Sequence, residues 1–346
     1  MKKIIAIILP FILLFSLVAC AADESENEPQ ETEPVTTPDS GSDTILPVQP
    51  SGDQFRVAFS LPPIRNFFNA RMRFVIDEAI AEAATSHPNF KFTAINGVDE
   101  NDQLSQLEIF MNGDYDLIAI MPGDADMIAP VAEQIYNNGT PLIIINHRLP
   151  TDIPYTHFID GDNIDGGRVA AEFLGEALGG EGQIISLNMG TGTPIAEARQ
   201  AGFMDVLTRD FPNIEMMAEL DSAPNRESGL ESMANALRAH PHIDAVFTHS
   251  DDIALGVIAA IEHTGRTDIQ IITGFGGSLV VFDEYMKNDS NFLLKGSSLY
   301  SPMMGYDAVW LAIDVLLGQG NWPKDIILPS VFVTAENIDQ YYEFGF

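Results

Sequence analysis

The chain has 346 residues, and its 17 basic against 50 acidic residues give a formal net charge of −33. This charge excludes a nucleic-acid reader, since phosphate binding needs a cationic surface, and a single cysteine excludes a disulfide framework or a cysteine-rich metal site. An apolar fraction of 46% predicts a large folded core, and the length allows about two domains.

The first twenty residues are typical of a secretory signal. Two lysines precede an apolar run over residues 4–18, which is too short to favour a permanent transmembrane helix. The run ends in Leu-Val-Ala-Cys at residues 17–20, which resembles the bacterial lipoprotein box. The resemblance implies that residues 1–19 are a cleaved signal peptide and that lipid on Cys20 anchors the protein to the membrane. An ordinary secreted protein is the alternative.

An acidic segment follows the signal. Residues 21–50 contain eight acidic residues, five prolines and no basic residue. Such a segment cannot bury enough apolar surface to fold, and its like charges keep it extended. We therefore expect residues 20–52 to be a lipidated, disordered tether. The body over residues 51–346 still has 15 basic and 42 acidic residues, a net charge of −27 that repels anionic ligands at long range.

Beyond the tether, hydrophobic periodicity predicts alternating strands and helices. A strand over 56–60 is followed by helical spacing from Phe68 to Ala79. Further strands are predicted at 90–95, 116–121 and 141–146, with helices near 101–111 and 124–138. A second series has strands at 183–189, 214–220, 245–249 and 269–275, with helices near 193–210, 225–239 and 252–264. This alternation predicts doubly wound α/β sheets, and the strand count predicts two lobes. Ligands of such sheets bind beyond the carboxyl ends of the strands.

Several segments, in this order along the chain, resemble the ribose-type periplasmic sugar-binding proteins. They are residues 59–61 (FSL) with 66–68 (NFF), 120–125 (IMPGDA), 141–146 (PLIIIN), 161–167 (GDNIDGG), 196–203 (AEARQAGF) and 245–256 (AVFTHSDDIALG). The resemblance covers nearly all of residues 55–335. It implies the type I periplasmic-binding-protein fold, in which two Rossmann-like lobes are joined by three crossovers and enclose a ligand cleft.

The same resemblance implies where the lobes divide. The crossovers are expected near residues 161–162, 298–300 and 324–329. The N-terminal lobe then comprises 53–161 plus about 300–325, and the C-terminal lobe comprises 162–299 plus about 326–346.

The function implied by this resemblance is capture of a small sugar-like ligand by hinge closure and its delivery to an ABC permease. The protein is expected to be an extracytoplasmic, lipid-anchored monomer. A sensory receptor that presents its ligand in chemotaxis, quorum or kinase signalling is the alternative, because it uses the same fold. LacI-type repressors share the lobes but carry a DNA-binding headpiece where this chain has its signal and tether.

Motifs for catalysis and cofactors are missing from the sequence. It has neither a Gly-x-Ser-x-Gly elbow nor a phosphate-binding glycine loop. His240 and His242 precede a strand without a third ligand nearby in sequence, so a surface loop is favoured over a metal site. We expect no enzymatic activity, no cofactor and no metal.

In the first lobe, the resemblance implies ligand contacts in two loops. Sugars present apolar faces and a rim of hydroxyls, so aromatic plates and planar polar groups suit them. Phe67 and Phe68 match the stacking aromatics of the family, with core packing as the alternative for Phe68. Polar residues after the apolar strand 141–146 need a partner, which a ligand or the neighbouring backbone can supply. The candidates are Arg65, Asn66, Phe67, Phe68, Asn146, His147 and Arg148.

In the second lobe, the chain departs from the family pattern at two ligand positions. Glu197 stands where the sugar binders carry an arginine, and Gly276 stands where they carry a hydroxyl-binding aspartate. Arg199 fits the structural arginine of the family, with ligand contact as the alternative, and Asp251 is expected to cap a helix, as is Asp124. The departures point to an unusual monosaccharide, a derivative or a small non-sugar. The candidates are Glu197, Arg199, Arg226, Ser250, Gly276, Ser298 and Tyr300.

Overall fold

The computed structural model describes Pro50, residues 52–287 and residues 293–346. The signal segment, Cys20 and nearly all of the predicted tether lie outside these residues. The strands are β1 (Phe55–Leu61), β2 (Phe90–Asn96), β3 (Leu117–Ile120), β4 (Leu142–Ile145), β5 (His157–Gly161), β6 (Glu181–Met189), β7 (Asn213–Ser222), β8 (Ala245–Thr248), β9 (Ile271–Gly276), β10 (Leu294–Leu299), β11 (Asp325–Leu328) and β12 (Phe332–Thr334).

Helices alternate with these strands along most of the described chain. They are α1 (Phe67–Ser86), α2 (Glu100–Met111), α3 (Ala125–Asn137), α4 (Asn163–Ala177), α5 (Pro194–Asp210), α6 (Arg226–Ala239), α7 (Asp251–Thr264), α8 (Met304–Leu317) and α9 (Ile338–Tyr341). A π-helical turn, Val281–Met286, and a short 3₁₀ turn, Tyr342–Phe344, complete the set. Within the described residues, none of the helices is both long enough and apolar enough to cross a membrane.

The strands form two six-stranded sheets, one in each lobe. The first has the order β11-β5-β4-β3-β1-β2 and the second has the order β12-β10-β9-β8-β6-β7. Every pair is parallel except β10 with β12. Strands such as β3 (LIAI) and β4 (LIII) are buried at every residue, as expected when helices cover both faces of a parallel sheet. The prediction of two doubly wound α/β lobes is confirmed.

The chain passes between the two sheets three times. The passages follow Gly161 at the end of β5, Leu299 at the end of β10 and Leu328 at the end of β11. Because β11 pairs with β5, the first sheet extends to Leu328, a little beyond the predicted boundary near residue 325. The hinge therefore consists of three short connections that lie between neighbouring strand ends.

Side-chain caps set the point at which seven of the helices begin. In each, the cap side chain accepts a hydrogen bond from the backbone N–H three residues later, which satisfies one of the free amides of the first turn. The caps of α1 to α7 are Asn66, Asp99, Asp124, Asp162, Thr193, Asn225 and Ser250. The predicted cap at Asp124 is confirmed. The predicted cap at Asp251 is wrong, because Ser250 caps α7 and leaves the Asp251 carboxylate for another role.

Candidate ligand-binding site

The topology places the site at the carboxyl ends of the two sheets. In the first sheet, β1 lies between β2 and β3, and in the second, β6 lies between β7 and β8. The chain thus winds in opposite directions on the two sides of β1 and of β6. Such switch points open a crevice at the carboxyl ends of the strands, where ligands of doubly wound sheets bind. Most of the predicted ligand residues follow these strands or their neighbours.

Tyr300 connects the two lobes at the second passage. Its hydroxyl lies 2.7 Å from Asn146 Oδ1 and also hydrogen-bonds the Asp160 carboxylate. The ring has room because residue 161 is glycine, where a Cβ atom would lie 2.5 Å from Tyr300 Cε2. Phe68 packs beside it, with the ring centroids 5.7 Å apart. Three predicted site residues that are far apart in sequence, Phe68, Asn146 and Tyr300, therefore meet in one cluster.

Asn146 is held in an uncommon backbone conformation. Its φ is +66°, the only positive value for a non-glycine residue in the described part of the chain. Asparagine tolerates this left-handed region better than most residues. The residue is buried, its N–H donates to Ile159 O at 2.8 Å, and its side chain faces Tyr300. A buried amide in a strained turn at a strand end is typical of a functional position.

Arg199 is buried beneath this cluster. Its Nε donates to Asn163 Oδ1 at 2.9 Å, and its Nη1 donates to the backbone oxygen of His249. The guanidinium carbon lies 3.7 Å from the ring centroid of Phe275 and 5.2 Å from that of Tyr300. Burial lowers the pKa of Arg199 to about 10, so the group stays charged at neutral pH. This arrangement is expected of a structural arginine, and a ligand contact stays a prediction.

Asp160 is the carboxylate of the cluster. Its Oδ1 accepts hydrogen bonds from the Tyr300 hydroxyl and from the Gly161 N–H, the latter at 2.8 Å. Burial nevertheless raises the pKa of Asp160 to about 7, because desolvation outweighs these bonds and the nearby charges of Arg199 and Arg148. Burial and the Asp160 charge together raise the pKa of Tyr300 well above its ordinary value. Tyr300 is therefore a neutral donor at physiological pH.

The carboxyl end of β9 is organised by Asp251. Its carboxylate accepts hydrogen bonds from Gly277 N at 2.9 Å, Ser278 N at 2.6 Å and Ser297 Oγ at 2.7 Å. Burial raises the pKa of this carboxyl despite the three donors. Asp251 thus fixes the loop that begins at Gly277, directly after Gly276 at the end of β9.

A second buried polar cluster lies at the switch point of the second sheet. Ser186 Oγ lies 2.6 Å from Asn188 Oδ1 and 2.9 Å from Gln200 Oε1, and His249 Nε2 lies 3.1 Å from the same Gln200 oxygen. Gln200 Nε2 and His249 Nδ1 find no partner among the described residues. Burial, with the nearby charge of Arg199, lowers the pKa of His249 to about 3, so its imidazole is neutral. A ligand hydroxyl or a water could satisfy these nitrogens.

Several predicted first-lobe residues lie away from the Tyr300 cluster. Arg65 forms a bidentate ion pair with Glu100, and Asn66 caps α1. Phe67 is 69% exposed at the start of that helix. His147 is half-buried, with Nδ1 2.9 Å from Pro122 O, and burial lowers its pKa.

Arg148 is turned toward the edge of the first sheet. Its Nη1 donates to the Tyr155 hydroxyl at 2.7 Å, and its Nη2 donates to Asp325 Oδ2 at 3.1 Å. Its guanidinium also lies over the ring of Phe158, 4.0 Å from the centroid. These contacts hold the side chain against β5 and β11.

The remaining second-lobe candidates also have structural surroundings of their own. Glu197 is exposed in the first turn of α5, and Arg226 is exposed in the first turn of α6. Ser250 caps α7. Ser298 is fully buried and donates to Gly166 O at 2.7 Å, which ties β10 to α4.

Two residues of the cluster were not predicted from the sequence. Asp160 directly precedes the GDNIDGG segment, so an acidic residue at the end of a predicted crossover was an available signal. Phe346 carries no sequence signal, yet its ring contacts Phe68, with centroids 5.4 Å apart and the planes nearly perpendicular.

The groups of the Tyr300 cluster are suited to binding a small ligand by stacking and hydrogen bonds. The Tyr300 cluster provides aromatic faces, an amide, a hydroxyl and a carboxylate, which suits a ligand with both apolar faces and hydroxyls. Across the described residues, no group of three or more His, Cys, Asp or Glu side chains is placed to hold a metal ion.

Comparison with known proteins gives the same fold and a consistent set of relatives. A family model described as a periplasmic binding protein domain matches residues 57–320. The ribose import binding protein of Bacillus subtilis (strain 168) is 28% identical over 279 residues, which cover 80% of this chain and 82% of that protein.

Solved structures of periplasmic sugar-binding proteins are similar to this chain in fold. The fructose-binding periplasmic domain of a hybrid two-component system is 26% identical, with a TM-score of 0.70 over 84% of this chain and 95% of that chain. A periplasmic ribose ABC transporter protein from Conexibacter woesei is similar in fold, with a TM-score of 0.73 at 20% identity, again over 84% and 95% of the two chains.

Proposed function

Because the chain belongs to the periplasmic binding protein family, we propose that it captures a sugar or a sugar-like polyol between its two lobes and delivers it to an ABC importer. The relative from Bacillus subtilis is a ribose import binding protein, and import is the function that this similarity favours. The observation that carries the proposal is the meeting of Phe68, Asn146 and Tyr300 at the carboxyl ends of the sheets. One stacking face and two polar groups at a hinge are suited to a hydroxylated ring.

The proposed mechanism is closure of the lobes about the three passages. A ligand favours the closed state only by its greater affinity for that state, so it needs contacts from both lobes. Phe68 and Asn146 lie in the first lobe, whereas Gln200 and His249 lie in the second. We propose that the closed form docks on a membrane permease as a monomer.

Membership of this family implies an extracytoplasmic location. We further propose that lipid on Cys20 anchors the protein and that residues 21–50 serve as its tether. The anchor rests on the sequence at residues 17–20, and stable attachment needs two or more acyl chains.

A ligand-presenting sensory receptor is the second candidate function. It is favoured by one observation, the similarity to the fructose-binding domain of a two-component system. Both candidates need the same binding step, and they differ in the membrane partner that receives the closed form.

The binding step is tested by the thermal unfolding of the purified full chain with D-ribose, D-xylose, D-fructose, D-allose and myo-inositol. A sugar at about one hundred times its Kd stabilises the fold by about 2.7 kcal/mol, which raises the Tm by about 4 °C for a domain of roughly 300 residues. We expect such a shift with at least one compound.

The matched variants are Phe68→Ala and Phe74→Ala. Both residues lie on α1, but Phe74 is 49% exposed and lies beside Arg71, outside the cluster. The shift is expected to vanish in the Phe68 variant and to persist in the Phe74 variant. A wild-type protein that responds to none of the five compounds contradicts the proposed function.

A further inference from the structure

Phe346 lies between the two lobes, where the sequence predicts the ligand. Its ring contacts Phe68 of the first lobe edge-on, with the centroids 5.4 Å apart. The ring also adjoins the second lobe, since a Cβ atom added to Gly276 would lie 3.0 Å from Phe346 Cζ. Both neighbours are predicted ligand positions. The ring is half-buried, so part of its surface stays open.

The segment that carries this ring is fixed to the second lobe. The N–H of Leu279 donates to the backbone oxygen of Phe346 at 2.6 Å, and the Phe346 N–H donates to Gly277 O at 3.2 Å. At the hinge, just past the second passage, Ser301 Oγ also donates to Phe344 O at 2.9 Å. Gly345 is buried, and a Cβ atom there would lie 2.7 Å from Gly277 O. These contacts hold the segment over residues 344–346 against the second lobe as part of its folded structure.

Gly276 and Phe346 depend on each other sterically. Gly276 has a φ of +132°, which favours glycine, and any side chain there would press on the Phe346 ring. The position that would otherwise offer a polar side chain therefore offers the face or edge of an aromatic ring. An aromatic ring attracts C–H groups and does not accept hydroxyl hydrogen bonds as a carboxylate does.

We propose that Phe346 is the aromatic wall of the second lobe in the ligand cleft, and that the ligand presents an apolar C–H face to the carboxyl end of β9. This inference rests on the proposed function and narrows its ligand class. Sugars with a deoxy position or with an unobstructed C–H face meet the requirement, whereas a ligand that needs a carboxylate acceptor at this end does not.

The test is calorimetric titration of the full chain with D-ribose, D-allose, D-fucose and myo-inositol. Phe346→Ala is expected to weaken the binding of whichever compound binds the wild type by at least about tenfold. Phe346→Tyr keeps the ring and is expected to stay within about threefold. Phe344→Ala is the matched control, since this ring lies in the same segment and 6.5 Å from Tyr341; its effect is expected to be under about twofold.

Each other outcome overturns the inference in a distinguishable way. If the wild type binds one of the four compounds and Phe346→Ala binds it equally well, the wall is wrong while the proposed function stands. Tighter binding by Phe346→Ala would mean that the ring obstructs the cleft, and this result also contradicts the proposed role of Phe346. If the wild type binds none of the four and responds to none of the five compounds in the thermal test, the proposed function and the wall fail together. If it responds only to D-xylose or D-fructose, the three variants are titrated with that sugar and judged by the same criteria.

Discussion

At the scale of single residues, the candidate site is characterised by two ionisable side chains, Arg199 and Asp160, that both contact Tyr300. Arg199 of the second lobe lies over the Tyr300 ring, whereas Asp160 of the first lobe accepts a hydrogen bond from the Tyr300 hydroxyl. Among the described contacts the two side chains form no ion pair with each other. Arg199 lies in a segment that resembles the family. The position of Asp160 beside a predicted crossover was a signal, but its raised pKa could not be predicted because desolvation depends on the packed structure. Phe346 could not be predicted from the sequence at all, since only tertiary packing brings it to Phe68.

Asp160 makes the stability of the fold depend on pH. Because burial raises its pKa from an ordinary value near 3.8 to about 7, the ionised form is disfavoured in the folded state. The neutral Asp160 carboxyl therefore contributes its whole stabilisation to the free energy of unfolding below about pH 4. This stabilisation falls as the pH rises above about 4 and is lost once the pH has passed about 7. Asp160→Asn mimics the protonated group. We expect the stability advantage of this variant over the wild type to grow between pH 5 and pH 8.

Urea unfolding at several pH values measures this difference. The control is Asp162→Asn, which exchanges one good helix cap for another and removes the same formal charge. Its difference from the wild type is expected to change less with pH. A difference for Asp160→Asn that stays constant from pH 5 to pH 8 would show that the carboxyl is ionised throughout.

At the scale of elements, periodicity located the strands and helices that have a clear apolar pattern. β3, β4, β8 and α5 to α7 lie within a few residues of their predicted bounds. The predicted elements did not include α4, α8, α9, β5, β10, β11 and β12. Three glycines in the 15 residues of α4 weaken its helical pattern, and its stability comes from packing against a neighbour.

That packing depends on glycine at the contact between α4 and α5. A Cβ atom on Gly202 would overlap the carbonyl oxygen of Ile164, and one on Gly167 would overlap that of Arg199. Because the obstructing atoms are backbone, the helices must move apart to accept a methyl group. We expect Gly202→Ala to lower the free energy of unfolding by about 3 kcal/mol.

Intrinsic helix propensity predicts the opposite sign, because alanine in an unobstructed helix is more stable than glycine by about 1 kcal/mol. Ala201→Gly, at the exposed neighbouring position, is the control and is expected to cost about 1 kcal/mol. Denaturant unfolding measures both variants. Stabilisation by Gly202→Ala would mean that α4 and α5 are not in close contact at this point.

At the scale of the whole molecule, the sequence was sufficient for the two-lobed architecture. The order of short segments from residue 59 to residue 256 fixed the family, and the family model matches residues 57–320. The sequence was not sufficient to predict the ligand. Glu197 and Gly276 depart from the usual family pattern, and the residues that surround them come from distant segments of the chain. Glu197 is exposed, whereas Gly276 is covered by Phe346.

The central proposal for the whole molecule is that its two lobes close on a sugar. Small-angle X-ray scattering of the full chain, with and without a saturating concentration of the sugar that raises the Tm, tests this directly. We predict a smaller radius of gyration with the sugar, because closure about the three passages brings the lobes together. Superimposable scattering profiles, from samples shown by calorimetry to be saturated, would contradict capture by closure.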